Sequence, residues 1–225
     1  MNTRKRPVIA ASLPSYTMGE EIANSILHGI GTLLAIIGLV LLSLNTGGFL
    51  SRPRAETLDI IGVIIFASTM IGMYLMSTLY HAIQHRSAKG LLRKLDHSVI
   101  FVFIAGTYTP LCLSGLGGAW GWSLFGFQWA LASLGVIFSI LDSRAFKKVK
   151  MAVYLMMGWA IIVGFVPLIR SVPVHSIALL FAGGAAYTLG ILWYRNKSLR
   201  FNHFIWHVFV LIGTICHWFS IWYLN

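Results

Sequence analysis

The stretch Asn202–Leu224, NHFIWHVFVLIGTICHWFSIWYL, contains no Asp, Glu, Lys or Arg. It is long enough to cross a bilayer as a helix, since about 20 apolar residues span the hydrocarbon core. His203 and His207 lie four positions apart near its start, which puts both side chains on one helical face, roughly 5–6 Å apart at Cβ. Ionisable groups inside a membrane helix are costly and tend to be functional. The stretch therefore predicts a spanning helix that presents two ligands to one metal ion.

The composition of the whole chain indicates an integral membrane protein. Hydrophobic residues make up 57% of the 225 positions and charged residues only 10%, whereas soluble domains carry about 25% charged residues. The apolar runs are continuous and not alternating, which favours an all-α bundle over a barrel. The net charge of +11 does not indicate nucleic-acid binding, because Lys and Arg lie in short clusters between the apolar runs. Cys112 and Cys216 lie in apolar runs and predict neither a disulfide framework nor a CxxC metal pair.

Seven runs are long enough to span a membrane, which predicts a seven-transmembrane-helix bundle. Residues 1–18 are expected to form a short exposed tail without the apolar core of a signal peptide, and residues 19–225 a single membrane domain. The linkers are short, so consecutive helices are expected to be antiparallel neighbours. The predicted spans cover residues 21–43, 58–83, 96–114, 121–141, 151–169, 175–194 and 202–224.

The distribution of positive charge predicts the orientation of the bundle. If the seven spans alternate in direction, 14 of the 17 Lys and Arg residues fall on one side, and only Arg52, Arg54 and Arg170 fall on the other. The positive-inside rule then places the N-terminus in the cytoplasm and the C-terminus outside. The charged side carries four clusters: Arg4, Lys5 and Arg6; Arg86, Lys89, Arg93 and Lys94; Arg144, Lys147, Lys148 and Lys150; Arg195, Lys197 and Arg200.

This orientation puts ligand-type side chains from three helices at one depth in the cytoplasmic half. His81 lies near the end of the second span, Asp96 at the start of the third, and His203 and His207 in the first turns of the seventh. Three histidines with an open fourth position are the usual arrangement of a catalytic zinc ion. We therefore expect His81, His203 and His207 to bind zinc. For His203 and His207, the alternative is that they are two interfacial histidines bonded to the backbone or to water.

Asp96 and Ser77 are the candidates for catalytic work beside the metal. Asp96 can offset part of the metal's charge and accept a proton from a water that the metal acidifies. Ser77 precedes His81 by four positions, so its hydroxyl lies on the same helical face and could orient a ligand or that water. The alternatives are a helix N-cap for Asp96 and a hydroxyl bonded to its own helix backbone for Ser77.

The first helix carries a polar stripe in which Glu21, Ser25, His28 and Thr32 are spaced by four, three and four positions. This stripe is expected to face the bundle interior, because a charge that faces lipid is expensive. Glu21 and His28 are candidates for partners of the metal-binding side chains or for a proton path. The alternative is a surface glutamate together with a buried, hydrogen-bonded histidine. His217 is expected too far from the site to share the metal, and to have a packing role.

Four motifs, taken together and in order, resemble the bacterial hemolysin III family, which belongs with the adiponectin and progestin receptor (PAQR) superfamily. The resemblance extends from about Gly19 to nearly the end of the chain. The motifs are EEIANSILHG at 20–29, STLYH at 77–81, KLDHSVI at 94–100 and HFIWH at 203–207.

This resemblance implies that His81, His203 and His207 are zinc ligands and that Ser77 and Asp96 lie around the water on the zinc. The superfamily's receptors are similar to ceramidase-type amide hydrolases, so the implied substrate is a lipid amide and the implied partners are membrane lipids. The resemblance also implies a multi-pass protein of the bacterial inner membrane, linked to membrane fluidity and energetics. The family name records a haemolytic, or cytolytic, activity.

Two other classes of function remain open at this point. In one, the protein is a non-enzymatic membrane sensor or haemolysis-associated protein whose zinc only ties the second, third and seventh helices together. In the other, Glu21, His28 and the histidine cluster relay protons or ions across the membrane. An open coordination position favours the enzyme, full protein ligation favours the structural role, and a polar route to the outer side favours the relay.

Overall fold

The computed structural model of the protein describes residues 16–50 and 56–224, and within these ranges the chain is helical with no strand. Most of the expected tail, with Arg4, Lys5 and Arg6, lies outside the described residues, as do Arg52 and Arg54. The charge-based orientation of the two termini stays a prediction.

The described chain forms seven spans, each long and apolar enough to cross a membrane. A π-helical segment, Leu111–Leu116, extends α3, and a 3-10 segment, Ala160–Gly164, joins α5 to α6. The predicted seven-span all-α bundle is therefore confirmed. The helices are α1 Met18–Thr46, α2 Thr57–Ala82, α3 Arg86–Pro110, α4 Gly118–Ile140, α5 Arg144–Trp159, α6 Phe165–Ser171, α7 Val174–Arg195 and α8 Asn202–Leu224.

The third span begins well before the predicted position 96, because α3 starts at Arg86 with His85 as its N-cap. The charged helical turn of α3 that precedes Asp96 lowers the local hydropathy, but it does not interrupt the helix. Lys89, in that turn, is buried among neighbouring helices. Asp96 consequently lies inside α3, and the alternative that it caps the helix is wrong.

The outer surface of the bundle is apolar and the inner stripe of α1 is polar. Ile26 and Leu33 of α1 are 59% and 63% exposed, while Glu21 and His28 on the opposite face are 4% and 2% exposed. A soluble protein rarely exposes continuous apolar surface of this kind. The exposed faces are therefore suited to lipid, and the polar stripe faces the interior as expected.

Consecutive spans pack as antiparallel neighbours. At one end of the α1–α2 pair, Glu21 contacts His81, and further along a Cβ on Gly31 would lie within 2.4 Å of the Tyr74 ring. The α7–α8 pair is likewise antiparallel, since Ser176 pairs with Ser220 and Tyr187 with Thr214.

Helix α8 returns to α1 and closes the bundle. Trp218 of α8 donates its indole N–H to the carbonyl of Gly38 in α1 at 3.2 Å. The start of α1 is fixed by a capping box between Thr17 and Glu20, and the Glu20 carboxylate also accepts the backbone N–H of Phe201 at 3.1 Å. The first turns of α1 and α8 are therefore held at one level of the bundle.

Candidate metal centre

Three histidines meet where the end of α2 approaches the start of α8. His81 lies in the last turn of α2, and His203 and His207 lie in the first two turns of α8. One ring nitrogen from each lies within 4.8 Å of the other two. His81 and His207 are buried and His203 is partly buried, so this cluster lies inside the bundle.

The spacing of these nitrogens fits a metal ion. Two ligands about 2.0–2.1 Å from a tetrahedral zinc ion lie about 3.4 Å apart, and the Nε2 atoms of His81 and His207 are 3.3 Å apart. Both ring nitrogens of His203 and the Nδ1 atom of His207 are buried without a hydrogen-bond partner. Buried ring nitrogens without a partner are costly, and one nitrogen of each ring lies close to the other two, so the cluster can hold a metal ion through three imidazoles.

Glu21 orients the first of these histidines. The His81 Nδ1–H group donates to the Glu21 carboxylate at 2.7 Å, and both side chains are almost fully buried. A carboxylate on one ring nitrogen fixes the tautomer that leaves the other nitrogen free to bind a metal. This contact directs the Nε2 lone pair of His81 towards His207.

Lys89 also belongs to the site, although its place in the sequence indicated only a topology signal. Its Nζ atom lies 2.6 Å from the second oxygen of Glu21, and it also donates to the Tyr80 carbonyl at 3.2 Å. The extension of α3 before Asp96 explains this position, because Lys89 precedes Asp96 by seven residues and thus lies on the same helical face. The buried carboxylate of Glu21 is therefore neutralised by a buried cation.

His28 and Asn24 add further buried polar groups next to the cluster. The His28 ring contacts the His207 ring edge-on, with centroids 4.0 Å apart, and neither ring nitrogen of His28 has a hydrogen-bond partner. His28 is therefore buried but not hydrogen-bonded, so the alternative given for it is wrong. Asn24, which the sequence analysis missed, lies on the same stripe between Glu21 and His28, is 0% exposed and has both amide atoms unpaired.

Ser77 and Asp96 lie together beside His81. Ser77 is 2% exposed and Asp96 8% exposed. The Ser77 hydroxyl has no hydrogen-bond partner, and Asp96 is within electrostatic range of both Ser77 and His81. The Ser77 hydroxyl makes no hydrogen bond to its own helix backbone, so the alternative for Ser77 is not seen. The structure thus brings a carboxyl group and a hydroxyl to the histidine cluster.

Aromatic side chains cover the cluster at the end of the bundle. The Tyr16 ring stacks on His203 with centroids 4.8 Å apart and an interplanar angle of 18°, and Tyr194 lies 5.5 Å from His203. Burial raises the pKa of the Tyr16 hydroxyl above its usual value, so Tyr16 stays neutral. The sequence contains no pattern that would have identified this cover.

His85, His175 and His217 lie apart from the cluster. His217 has the expected packing role, because its Nε2 atom donates to the Leu180 carbonyl at 3.1 Å and its ring lies against Tyr187. His85 and His175 are exposed. None of these three can join the three-histidine site.

Comparison with known proteins gives consistent matches over almost the whole chain. Residues 16–218 match the family described as haemolysin-III related. The chain is 41% identical to the hemolysin-3 homolog of Bacillus subtilis (strain 168), covering 92% of this chain and 94% of the relative. It is 41% identical to hemolysin-3 of Bacillus cereus, with 90% of each covered. A more distant relative is the human monocyte to macrophage differentiation factor, 27% identical over 92% of this chain and 84% of the relative.

Proposed function

The chain belongs to the haemolysin-III related family of membrane proteins, and from this membership and the histidine cluster we propose that it is a zinc-dependent lipid amide hydrolase of the bacterial inner membrane. In this proposal its activity resembles that of a ceramidase and contributes to membrane lipid composition, fluidity and energetics. The observation that carries the proposal is that one nitrogen from each of three imidazoles lies within 4.8 Å of the other two, beside a buried carboxyl group and a buried hydroxyl.

In the proposed site, His81, His203 and His207 hold the metal, and neutral imidazoles suit zinc. When bound, zinc supplies Lewis-acid chemistry, lowering the pKa of a water molecule to about 7 and polarising a carbonyl group. Asp96 takes the proton from the attacking water and returns it to the leaving amine nitrogen. Ser77 orients that carboxyl group.

Asn24 and His28 are proposed to bind the polar part of the substrate. Both residues have unpaired hydrogen-bonding atoms in a fully buried setting, and burying such a group without a partner costs about 2–7 kcal/mol. The three metal bonds leave these atoms unpaired, because neither Asn24 nor His28 is a proposed metal ligand. The amide and hydroxyl groups of an N-acyl lipid offer both donors and acceptors, which matches what Asn24 presents.

A non-enzymatic role with a structural zinc is the second candidate. The observation that favours it is the close packing of rings on the cluster, with Tyr16 stacked on His203 and His28 against His207. In this case the metal ties α2 to α8, and the membrane effects of the protein follow from its fold and not from turnover.

Hydrolysis by the reconstituted protein distinguishes these candidates. Purified full-length protein in lipid nanodiscs is loaded with zinc and supplied with N-acyl lipids such as ceramide, and released fatty acid is measured. The proposal expects turnover that Asp96→Asn abolishes while the bound zinc is retained, with the exposed His175→Ala as a control that keeps both. Undiminished turnover in Asp96→Asn would remove Asp96 as the base.

A lipidomic comparison of membranes with and without the protein identifies the substrate class. If wild-type protein binds zinc but releases no fatty acid and leaves every lipid amide unchanged, the hydrolase proposal fails and the structural role stands.

A further inference from the structure

A cavity lies between α3, α4 and α5, and none of the three clustered histidines lines it. Its volume is about 210 Å³. Arg93 and Lys94 of α3 and Lys150 of α5 line it, together with the turn that follows α4. All three cations lie within the first three turns of their helices, at the same end of the bundle as the first turn of α8.

The lining of this cavity has an excess of positive charge. Arg93, Lys94 and Lys150 line the cavity with one carboxylate, that of Asp142, and the carboxyl group of Asp96 lies within electrostatic range of Lys150. The three cations are only partly exposed, and Lys94 is held in place by donating to the Ile140 carbonyl at the end of α4, at 2.9 Å. Partly buried cations are weakly screened by salt, so the cavity favours an anion.

One wall of the cavity is aromatic and continues into the lipid-facing surface. Phe138 of α4 and Phe146 of α5 line the cavity, and their ring centroids lie 5.3 Å apart. Phe138 is 41% exposed, and next to it Ile137 and Leu141 are 50% and 68% exposed. A ligand with a charged head and apolar chains could therefore place its head in the cavity and its chains along the outer face of α4.

We propose that this cavity binds the headgroup of an anionic glycerophospholipid through its phosphate. Its volume is below the roughly 300 Å³ at which pockets for drug-sized ligands begin, so only the headgroup enters. Basic pockets between transmembrane helices bind headgroups in this way. A zwitterionic lipid fits less well, because its ammonium group would lie among Arg93, Lys94 and Lys150.

Lipid binding by the full chain in detergent tests the proposal, with phosphatidylglycerol, phosphatidylcholine and inorganic phosphate as separate probes. Wild-type protein is expected to bind phosphatidylglycerol more tightly than phosphatidylcholine. The double variant Arg93→Gln/Lys150→Gln is expected to lower the affinity for phosphatidylglycerol about 30-fold, since each cation near an anionic surface contributes roughly a fivefold factor.

The matched control is Arg86→Gln/Arg195→Gln, which removes the same charge from two exposed positions outside the cavity. It is expected to change the affinity less than twofold, and Arg93→Lys/Lys150→Arg is expected to keep binding. Equal losses in the two glutamine variants would show general attraction to a basic surface and overturn the proposal. Inorganic phosphate that binds as tightly as phosphatidylglycerol would overturn the lipid as the ligand. Zinc content is also measured and is expected to be unchanged in all variants. A loss of lipid binding at normal zinc content then tests this proposal without testing the hydrolase proposal.

Discussion

The Nδ1 atom of His81 lies 2.7 Å from the Oε2 atom of Glu21, although 60 positions separate the two residues. The other Glu21 oxygen lies 2.6 Å from the Lys89 ammonium group, so three helices contribute to one buried chain of polar contacts. The chain ends on the imidazole that faces His207. Its members are therefore expected to control metal affinity without touching the metal.

His207→Ala is expected to remove the metal. The wild-type chain should bind about one zinc per molecule, and loss of one of three imidazoles leaves too few ligands for a stable site. Elemental analysis of purified protein measures this directly. His175→Ala, which removes an exposed histidine, should keep the full zinc content. A normal zinc content in His207→Ala would show that His207 is not a metal ligand.

Glu21→Gln is expected to weaken zinc binding about 10- to 100-fold, the usual effect of losing a carboxylate that orients a metal-binding histidine. Competition with a chelator of known affinity measures the change. Glu56→Gln removes a carboxylate from an exposed helix N-cap and should leave zinc affinity unchanged. An unaltered affinity in Glu21→Gln would show that the contact with His81 has no role in binding.

Lys89→Met is expected to destabilise the protein by about 3–5 kcal/mol, because it leaves the Glu21 carboxylate buried without its cation. Unfolding in mild detergent measures the loss. Lys148→Met, at an exposed position of α5, should stay within about 0.5 kcal/mol of wild type.

The double variant Glu21→Gln/Lys89→Met separates stability from metal binding. Removing both charges should recover much of the lost stability, since no unpaired ion remains, while zinc affinity stays low. Recovery of zinc affinity in the double variant would contradict the role given to Glu21.

Gly135→Ala is expected to destabilise the bundle by about 1–3 kcal/mol, the usual cost of overpacking. A Cβ atom on Gly135 would lie 2.5 Å from the Phe101 ring, where α4 packs against α3. Gly126→Ala is the matched control on the same helix, because a Cβ there meets nothing within 4 Å. Thermal unfolding of both variants checks the prediction, and equal stabilities would show that α3 and α4 are less closely packed than described.

Much of the fold follows from sequence because a bilayer allows few solutions. Unpaired backbone groups are too costly in hydrocarbon, so each long apolar run must be a helix, and all seven runs are spans. The predicted start of the third span, position 96, differs from the structure, because hydropathy reports the apolar part of α3 and not its charged first turns. Lys89 in those turns is buried against α2.

The identity of the three histidines that come together could also be predicted from the sequence. His203 and His207 share a helical face by spacing alone, and alternation of the spans brings His81 to their level. Asn24 was missed because an amide on a polar stripe is indistinguishable by sequence from one that faces a neighbouring helix.

Seven membrane helices and three histidines near one end of the bundle can be inferred from the order of the residues, because helical periodicity and bilayer thickness limit where each side chain can lie. The contacts of Glu21 with His81, of Lys89 with Glu21 and of Tyr16 with His203 are visible only in the folded bundle. These contacts depend on how far each helix is rotated and shifted against its neighbours. Side-chain packing sets that rotation and shift, and no periodicity along a single helix encodes them.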